Sequence, residues 1–189
     1  MSKAVMLSIR PKWVEKIASG KKTIEVRKTK PKLETPFKCY IYCTLPKYPH
    51  EDFIATDYPR PQFYGGGKVV GEFTCDRIYK IDKDSTDFLF KAGGLSIYKQ
   101  AAEEKCGLCV AMTDDELHGY LSHCQGYGWH ISDLRIYDTP KELSEFKTLC
   151  RVDADCCACP YYNYTKMDCD GRVIGRPPQS WCYVDDANA

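Results

Sequence analysis

The sequence lacks most of the features that mark membrane, secreted or repetitive proteins. No apolar run is long enough to cross a membrane, although 43% of the 189 residues are hydrophobic. The N-terminus does not resemble a signal peptide, so we expect a cytoplasmic protein without a membrane partner. Internal repeats and low-complexity segments are also lacking. The length therefore favours one domain with its own core and at most a small appendage.

An excess of one charge is missing as well, since the formal net charge is only +1. This near balance argues against a general nucleic-acid coat. The charges are unevenly spread, however, because residues 1–48 carry twelve Lys or Arg against three acidic residues. A basic face on a neutral body suits phosphate contacts made by one surface. A solubilising surface with no ligand is the alternative.

A strand, a short helix and a second strand are predicted within this basic segment. Residues 4–9 have the composition of a strand, and residues 8–19 carry an apolar stripe typical of an amphipathic helix. Pro11 suits the first turn of that helix, and Gly20 is predicted to end it in the left-handed conformation. The second strand then begins a few residues later.

Lys22, Glu25 and Arg27 place three charges on this second strand. Side chains alternate between the faces of a strand, so Glu25 and Arg27 point the same way, with Lys22 where the strand begins. One interpretation is a solvent-exposed cluster whose charges pair with one another. The other is a polar site at the mouth of a β-barrel. There, Lys22 and Arg27 would receive an anionic or carbonyl group, and Glu25 would accept from an amino group.

The same residues carry a family resemblance. The chain matches the signature Gly-x-Lys-x-x-Glu-x-Arg without a gap, at Gly20, Lys22, Glu25 and Arg27. It therefore resembles the ASCH superfamily, and we expect the domain to span residues 1–147. The resemblance implies an α+β fold, a PUA-like mixed β-barrel with helical insertions and a cleft. It also implies binding of RNA or a nucleotide, and a bacterial or phage source.

A cleft of this kind predicts which residues contact the ligand. Aromatic rings stack on bases, while Lys and Arg hold phosphates. The predicted contacts are Arg10, Lys12, Trp13, Lys22, Glu25, Arg27, Tyr64 and Trp129. Burial in the hydrophobic core is the alternative for the two tryptophans among them.

An enzyme is a second functional hypothesis. Some small ASCH proteins are amidohydrolases that act on acetylated cytidine with a lysine, a threonine and a distant glutamate. Lys22 matches the lysine, but Glu25 stands in place of the threonine, which removes the hydroxyl nucleophile. Thr23 is expected to face the other way, and Glu72 is the candidate for the distant glutamate. Lys22 and Glu25 remain as a catalytic acid–base pair if burial shifts their pKa values. A phage-type protein that sequesters a nucleotide signal is a third hypothesis.

Cysteine is abundant, with twelve residues in the chain. Because the expected compartment is reducing, metal ligation or burial is favoured over disulfides. Cys39, Cys43 and Cys75 lie in strand-like runs and are predicted core residues. Cys106 and Cys109 form a Cys-x2-Cys, which can supply half of a metal site or two unligated thiols.

Six of the twelve cysteines fall in residues 148–189, which are predicted to be a Cys-rich C-terminal extension packing on the barrel. A Cys-x2-Cys pair can point two thiolates at one ion, and two further thiolates complete a tetrahedral zinc site. Such a closed site is structural and would pin a tail with few apolar residues. An iron–sulfur cluster and unligated thiols are the alternatives. The predicted zinc ligands are Cys156, Cys159, Cys169 and Cys182.

The remaining elements are predicted as strands with a helical insertion. A long strand over residues 68–79 contains Gly71, which marks a bulge or a close backbone approach. Residues 84–123 are predicted to be mostly helical, with one helix over residues 96–105 and another opened by a capping box at Thr113. Further strands are predicted over residues 37–44, 126–137 and 176–184.

Overall fold

The elements of the fold are taken from a computed structural model, which describes residues 3–55, 63–83, 88–92, 95–122, 124–149, 162–163, 168–169 and 171–186. The helices in these ranges are α1 (Pro11–Ala18), α2 (Lys99–Cys106) and α3 (Asp114–Leu121), with 3-10 turns at Pro49–Glu51 and Leu143–Glu145. None of the helices in these ranges is long and apolar enough to span a membrane. The strands are β1 (Lys3–Ile9), β2 (Ile24–Arg27), β3 (Phe37–Cys43), β4 (Ile54–Ala55), β5 (Phe63–Tyr64), β6 (Val69–Cys75), β7 (Ile78–Lys83), β8 (Phe88–Ala92), β9 (Leu95–Tyr98), β10 (Gly126–His130), β11 (Ser132–Lys141), β12 (Lys147–Thr148), β13 (Tyr162–Asn163), β14 (Asp168–Cys169), β15 (Arg172–Val173) and β16 (Trp181–Asp185).

The strands form two main sheets. A seven-stranded sheet has the order β11-β6-β3-β1-β16-β12-β15, and a five-stranded sheet has the order β2-β10-β7-β8-β9. Two short pairs, β4 with β5 and β13 with β14, stand apart from them. The predicted α+β class is therefore confirmed. Over the described ranges, the two sheets are not closed into one barrel.

β1 lies in the middle of the seven-stranded sheet, parallel to β3 and antiparallel to β16. Both faces of β1 are buried, which explains its nearly continuous apolar sequence. The C-terminal strand predicted over residues 176–184 forms in its second half only, as β16, and it pairs with β1 from the other end of the sequence. The parallel pairing sets Ile9 opposite Cys43, and the ends of β1 and β3 therefore meet at one edge.

α1 follows that edge and forms as its sequence predicts. Pro11 occupies the first turn, while Val14 and Ile17 are fully buried against the strands. Gly20 has a φ of +72°, the left-handed conformation that ends the helix. The helix thus begins at Pro11 rather than Ser8, since the residues before it are extended in β1.

Longer elements were predicted less well. The single strand predicted over residues 68–79 is wrong, because the chain turns at Asp76 and Arg77 and continues in the other sheet. The strand predicted over residues 126–137 is likewise two strands, β10 and β11, in different sheets. In both places two apolar strands adjoin with only a short break, and local pattern does not reveal a change of sheet.

The region predicted as mostly helical also contains strands. β8 and β9 precede α2, because Phe88 and Phe90 are buried in the core shared with β7. Such long-range packing overrides local preference. The capping box is confirmed, since Thr113 Oγ1 accepts from Glu116 N at 3.2 Å and Thr113 N donates to the Glu116 carboxylate at 3.1 Å.

The predicted core cysteines are confirmed. Cys39, Cys43 and Cys75 are fully buried in one hydrophobic cluster of the seven-stranded sheet. Burial raises the pKa of Cys43 and of Cys75 to about 12 in each case, so both thiols stay protonated at neutral pH.

Gly71 marks a close backbone approach between β6 and β11. A Cβ added at Gly71 would lie 2.5 Å from the Arg135 carbonyl oxygen, closer than real side chains come. We expect Gly71→Ala to lower the free energy of unfolding by about 1–3 kcal/mol through overpacking, measured by urea denaturation. A Cβ at Gly119 in α3 would meet nothing within 4 Å. Gly119→Ala should therefore raise stability by about 0.5–1 kcal/mol, and a stability gain in both variants would contradict the predicted clash.

Candidate functional site

A cavity of about 600 Å³ opens where β1, β2, α1 and α3 meet. The segment just before β16 closes it with Gln179 and Ser180. Among the described residues that line it, five are cations and two are carboxylates. The cavity is therefore positive on balance. Its charged lining consists of Arg10, Lys12, Lys22, Arg27, Lys28, Glu25 and Glu116.

Lys22, Glu25 and Arg27 form a paired cluster in the wall of the cavity. Glu25 Oε1 lies 3.0 Å from Arg27 Nη2, and Glu25 Oε2 lies 3.5 Å from Lys22 Nζ. Strand alternation predicted that Glu25 and Arg27 share a face, whereas Lys22 precedes β2 and reaches Glu25 from outside the strand. All three residues are buried, with exposures of 2%, 6% and 6% respectively. The cluster thus pairs with itself, as the first interpretation held, but it is buried rather than exposed to solvent.

Each cation of this cluster also anchors a distant segment. Lys22 Nζ donates to the Val110 carbonyl at 2.7 Å, in the loop between α2 and α3. Arg27 Nη2 donates to the Ser8 carbonyl at 2.9 Å, and Arg27 Nη1 donates to the Ser180 carbonyl at 3.3 Å. The cluster therefore ties β1, β2, that loop and the approach to β16 into one wall.

Burial sets the electrostatics of this wall. It lowers the pKa of Lys22 below its usual range, and the neighbouring Glu25 carboxylate opposes the shift. Burial likewise raises the pKa of the Tyr120 phenol, which lines the cavity from α3. A ligand would meet a phenol that is neutral and able to donate a hydrogen bond.

The ring of a single tryptophan in the cavity lining lies close to three lysines. Lys12, Lys16 and Lys22 place their ammonium groups 4.2, 4.8 and 5.3 Å from the centre of the Trp13 ring. Lys12 also forms a 2.9 Å ion pair with Glu116, which links α1 to α3. This pair lowers the pKa of the Glu116 carboxyl. The ring is half-buried and lines the cavity, so part of its surface faces the cavity.

Two cations of the lining have no acidic partner among the described residues, namely Arg10 and Lys28. Arg10 directly follows β1, and Lys28 directly follows β2. Both side chains are exposed at the rim of the cavity. The Lys28 ammonium lies 5.7 Å from the Tyr120 ring centre. These two side chains are free to pair with an incoming anion.

The cavity brings together six of the eight predicted ligand contacts. Tyr64 and Trp129 are outside it. Trp129 has no exposed surface and packs in the core against Phe37 and Trp181, so it cannot stack on a ligand. Tyr64 is exposed in β5, away from the lining. The six that line the cavity are Arg10, Lys12, Trp13, Lys22, Glu25 and Arg27.

Three charged or aromatic lining residues were not predicted as ligand contacts: Lys28, Glu116 and Tyr120. Lys28 follows the signature directly, and Glu116 is the acid of the capping box. The position of Tyr120 had no sequence signal, because it depends on how α3 packs over β2.

Two residues considered for the enzyme hypothesis lie elsewhere. Thr23 faces away as expected, since its hydroxyl donates to the Gly107 carbonyl and accepts from Cys109 N. Glu72, the candidate for the distant glutamate, accepts from the Tyr137 hydroxyl at 2.7 Å and does not line the cavity.

Most of the predicted zinc ligands have side chains outside the described part of the structure. Cys156 and Cys159 lie outside the described residues, and the side chain of Cys169 is not described. Cys182 packs against the apolar cluster on the outer face of the seven-stranded sheet, where burial raises its pKa to about 11. Among the described residues, no group of His, Cys, Asp or Glu could hold a metal ion.

Both the sequence and the fold are similar to those of ASCH domains. The ASCH domain family model matches residues 7–114, which is more than half of the chain. The solved structure of ASCH from Zymomonas mobilis is similar, with a TM-score of 0.53 and 16% identity over 97% of this chain and 88% of that chain. The structure of a mutant of that protein, with phenylalanine in place of one tyrosine, is also similar. Its TM-score is 0.52, with 16% identity over 97% of this chain and 91% of that chain. No curated protein matches the chain. The likeness confirms the predicted PUA-like α+β fold.

Proposed function

Because the chain belongs to the ASCH domain family, which is generally linked to RNA binding, we propose that its cavity binds RNA or a nucleotide. The observation that carries the proposal is the lining itself, in which five cations face two carboxylates beside the rings of Trp13 and Tyr120. Phosphates and bases need these two kinds of side chain.

The depth of each group suggests how the ligand is held. The exposed cations Arg10 and Lys28 lie at the rim, where phosphates can keep part of their hydration. The buried cluster lies deeper and offers a fixed polar wall beside the rings of Trp13 and Tyr120. A base therefore enters the cavity and the phosphate stays at its mouth. The volume of about 600 Å³ lies within the range of about 300–1,000 Å³ usual for small-ligand sites.

The rim cations provide the first test. We expect the double variant Arg10→Ala with Lys28→Ala to bind a single-stranded RNA octamer about 10-fold or more weakly, measured by fluorescence anisotropy. The slope of log affinity against log salt should fall by about 0.7 for each phosphate contact that is lost. Lys83→Ala serves as the control, because Lys83 is exposed on β7 outside the lining.

Several outcomes would decide between the hypotheses. Octamer binding that is unchanged in the double variant would contradict the proposed site. A mononucleotide that binds more tightly than any RNA would favour sequestration of a nucleotide signal, using the same cavity.

Hydrolysis of an amide on a modified nucleoside is the second candidate. It is supported by Lys22, which burial shifts towards its neutral form beside Glu25 in the wall. The family threonine is replaced by Glu25, and Thr23 faces away from the cavity. Incubation with N4-acetylcytidine, followed by chromatography for released cytidine, tests this candidate. Turnover that is lost in Lys22→Met would support it, and the absence of turnover would leave binding as the function.

We also retain structural zinc in residues 148–189 as a proposal. Its support is the spacing of Cys156, Cys159, Cys169 and Cys182 in the sequence. Native mass spectrometry before and after mild denaturation measures it. A zinc-sized adduct that is lost on denaturation would support the site, and bare protein in both states would contradict it.

A further inference from the structure

An exposed apolar segment lies close to the cavity. Six large hydrophobic side chains are exposed in the described ranges, and four of them belong to residues 45–64. Single exposed apolar residues are normal, whereas a concentration of them marks an interaction surface. We call Leu45, Tyr48, Ile54 and Tyr64 the 45–64 patch.

Two members of the patch are joined by backbone pairing, and a third packs on the turn that follows them. Ile54 is directly opposite Tyr64 in the β4–β5 pair, so both side chains stand on the same face. Leu45 packs on the turn that follows β5, with its Cδ2 3.2 Å from where a Cβ on Gly67 would lie. Leu45 and Tyr64 are the most exposed members, at 73% and 66%.

The patch continues from the rim of the cavity. Thr44 lines the cavity, and its N–H donates to the Ile9 carbonyl at 2.9 Å, directly before Arg10. Leu45 follows Thr44 in the chain. Gly67 N donates to the Cys43 carbonyl at 2.9 Å, which holds the turn after β5 against the same strand end. The surface thus runs from Arg10 through Leu45 to Tyr64.

We propose that the 45–64 patch is a stacking platform for single-stranded RNA, holding the nucleotides next to the one in the cavity. This inference rests on the proposed function of the cavity. It makes the ligand a strand of several nucleotides rather than a free mononucleotide.

The chemistry of the patch suits bases. Flat rings accept a base of any identity, and Tyr64 presents such a ring to solvent. Tyr48 and His50 are already stacked with an interplanar angle of 6°, and the Lys47 ammonium lies 5.2 Å from the Tyr48 ring centre. Arg10 lines the cavity next to the strand end that leads to Leu45, and the phosphate that joins two nucleotides would pass there. Continuity with a positive cavity favours RNA over a second copy of the chain as the occupant.

The length of the ligand and the Tyr64 ring together test the platform. Binding of oligo(A), oligo(U) and oligo(C) octamers is measured by anisotropy, and binding of the matching mononucleotides is measured by competition. We expect an octamer to bind more tightly than its mononucleotide. Tyr64→Ala should weaken octamer binding by about 5-fold to 100-fold and leave mononucleotide binding unchanged. Tyr64→Phe should retain wild-type binding, because the ring remains.

Tyr98→Ala is the matched control, since Tyr98 is also exposed but lies in β9 of the five-stranded sheet, away from the β4–β5 pair. Octamers that bind no better than mononucleotides would overturn the platform, as would equal octamer affinities for Tyr64→Ala and Tyr98→Ala. A wild-type dimer that Tyr64→Ala converts to monomer, with octamer affinity unchanged, would overturn it in favour of self-association. In each of these cases mononucleotide binding that depends on Arg10 and Lys28 would leave the cavity proposal standing. If no nucleotide or RNA binds to the wild type, both proposals fail.

Discussion

Glu25→Gln is expected to lower the free energy of unfolding by about 3–5 kcal/mol, the cost of breaking a buried ion pair. Glu25 is the counterion that both Lys22 and Arg27 face inside the wall of the cavity. A neutral glutamine at position 25 leaves two buried cations close together without their counterion. Because Glu25→Gln preserves shape, the loss reports charge rather than a cavity. Urea denaturation at neutral pH measures it.

A double-mutant cycle with Lys22→Met separates charge from packing. Removing one of the two stranded cations should restore part of the stability, so the effects of Glu25→Gln and Lys22→Met should not add. Strictly additive losses would show that the cluster is not energetically coupled. Lys12→Met with Glu116→Gln is the exposed comparison, and coupling there should be at most about 1 kcal/mol.

The contribution of Lys22 to the free energy of unfolding depends on pH, and the sign of this dependence is definite. Burial lowers the pKa of Lys22 in the folded protein, so the unfolded chain binds more protons at this site above that lowered pKa. The contribution of Lys22 to stability therefore rises with pH until the unfolded pKa, about 10.4, is passed. The deficit of Glu25→Gln should shrink over the same window, because the stranded ammonium can then lose its proton.

The sequence was sufficient to predict that Glu25 and Arg27 share a face, because side chains alternate along a strand. Lys22 precedes β2, so its approach to Glu25 does not follow from strand alternation. All three residues were nevertheless predicted to lie at one site. Their burial was not predictable, because the covering groups come from remote segments: the Val110 carbonyl, the Ser180 carbonyl and α3. Only the folded chain brings these groups together.

The same limit explains the errors in the secondary structure predicted from the sequence. Local signals with their own chemistry were reliable, such as the left-handed Gly20 and the capping box at Thr113. Assignments that depend on long-range pairing were not. β8 pairs with β7 and β9 pairs with β8, so their sequence alone does not separate them from a helix.

Trp129→Ala is expected to cost about 3–5 kcal/mol of stability, the loss seen when a large core side chain is truncated. Trp129 is fully buried, with ring centres of Phe37 and Trp181 at 5.7 and 6.0 Å. It joins β10 of the five-stranded sheet to β3 and β16 of the other, so its removal should loosen the packing between the sheets. Thermal and urea unfolding both measure the effect.

Tyr64→Ala is the matched control, because both rings were predicted from sequence to stack on a ligand. Tyr64 is 66% exposed, so its truncation should change the free energy of unfolding by no more than about 0.5 kcal/mol. A small loss in Trp129→Ala would mean that the two sheets do not depend on this ring. The expected contrast assigns Trp129 to stability and leaves Tyr64 free for recognition, since a ring can serve a ligand only where the fold does not already need it.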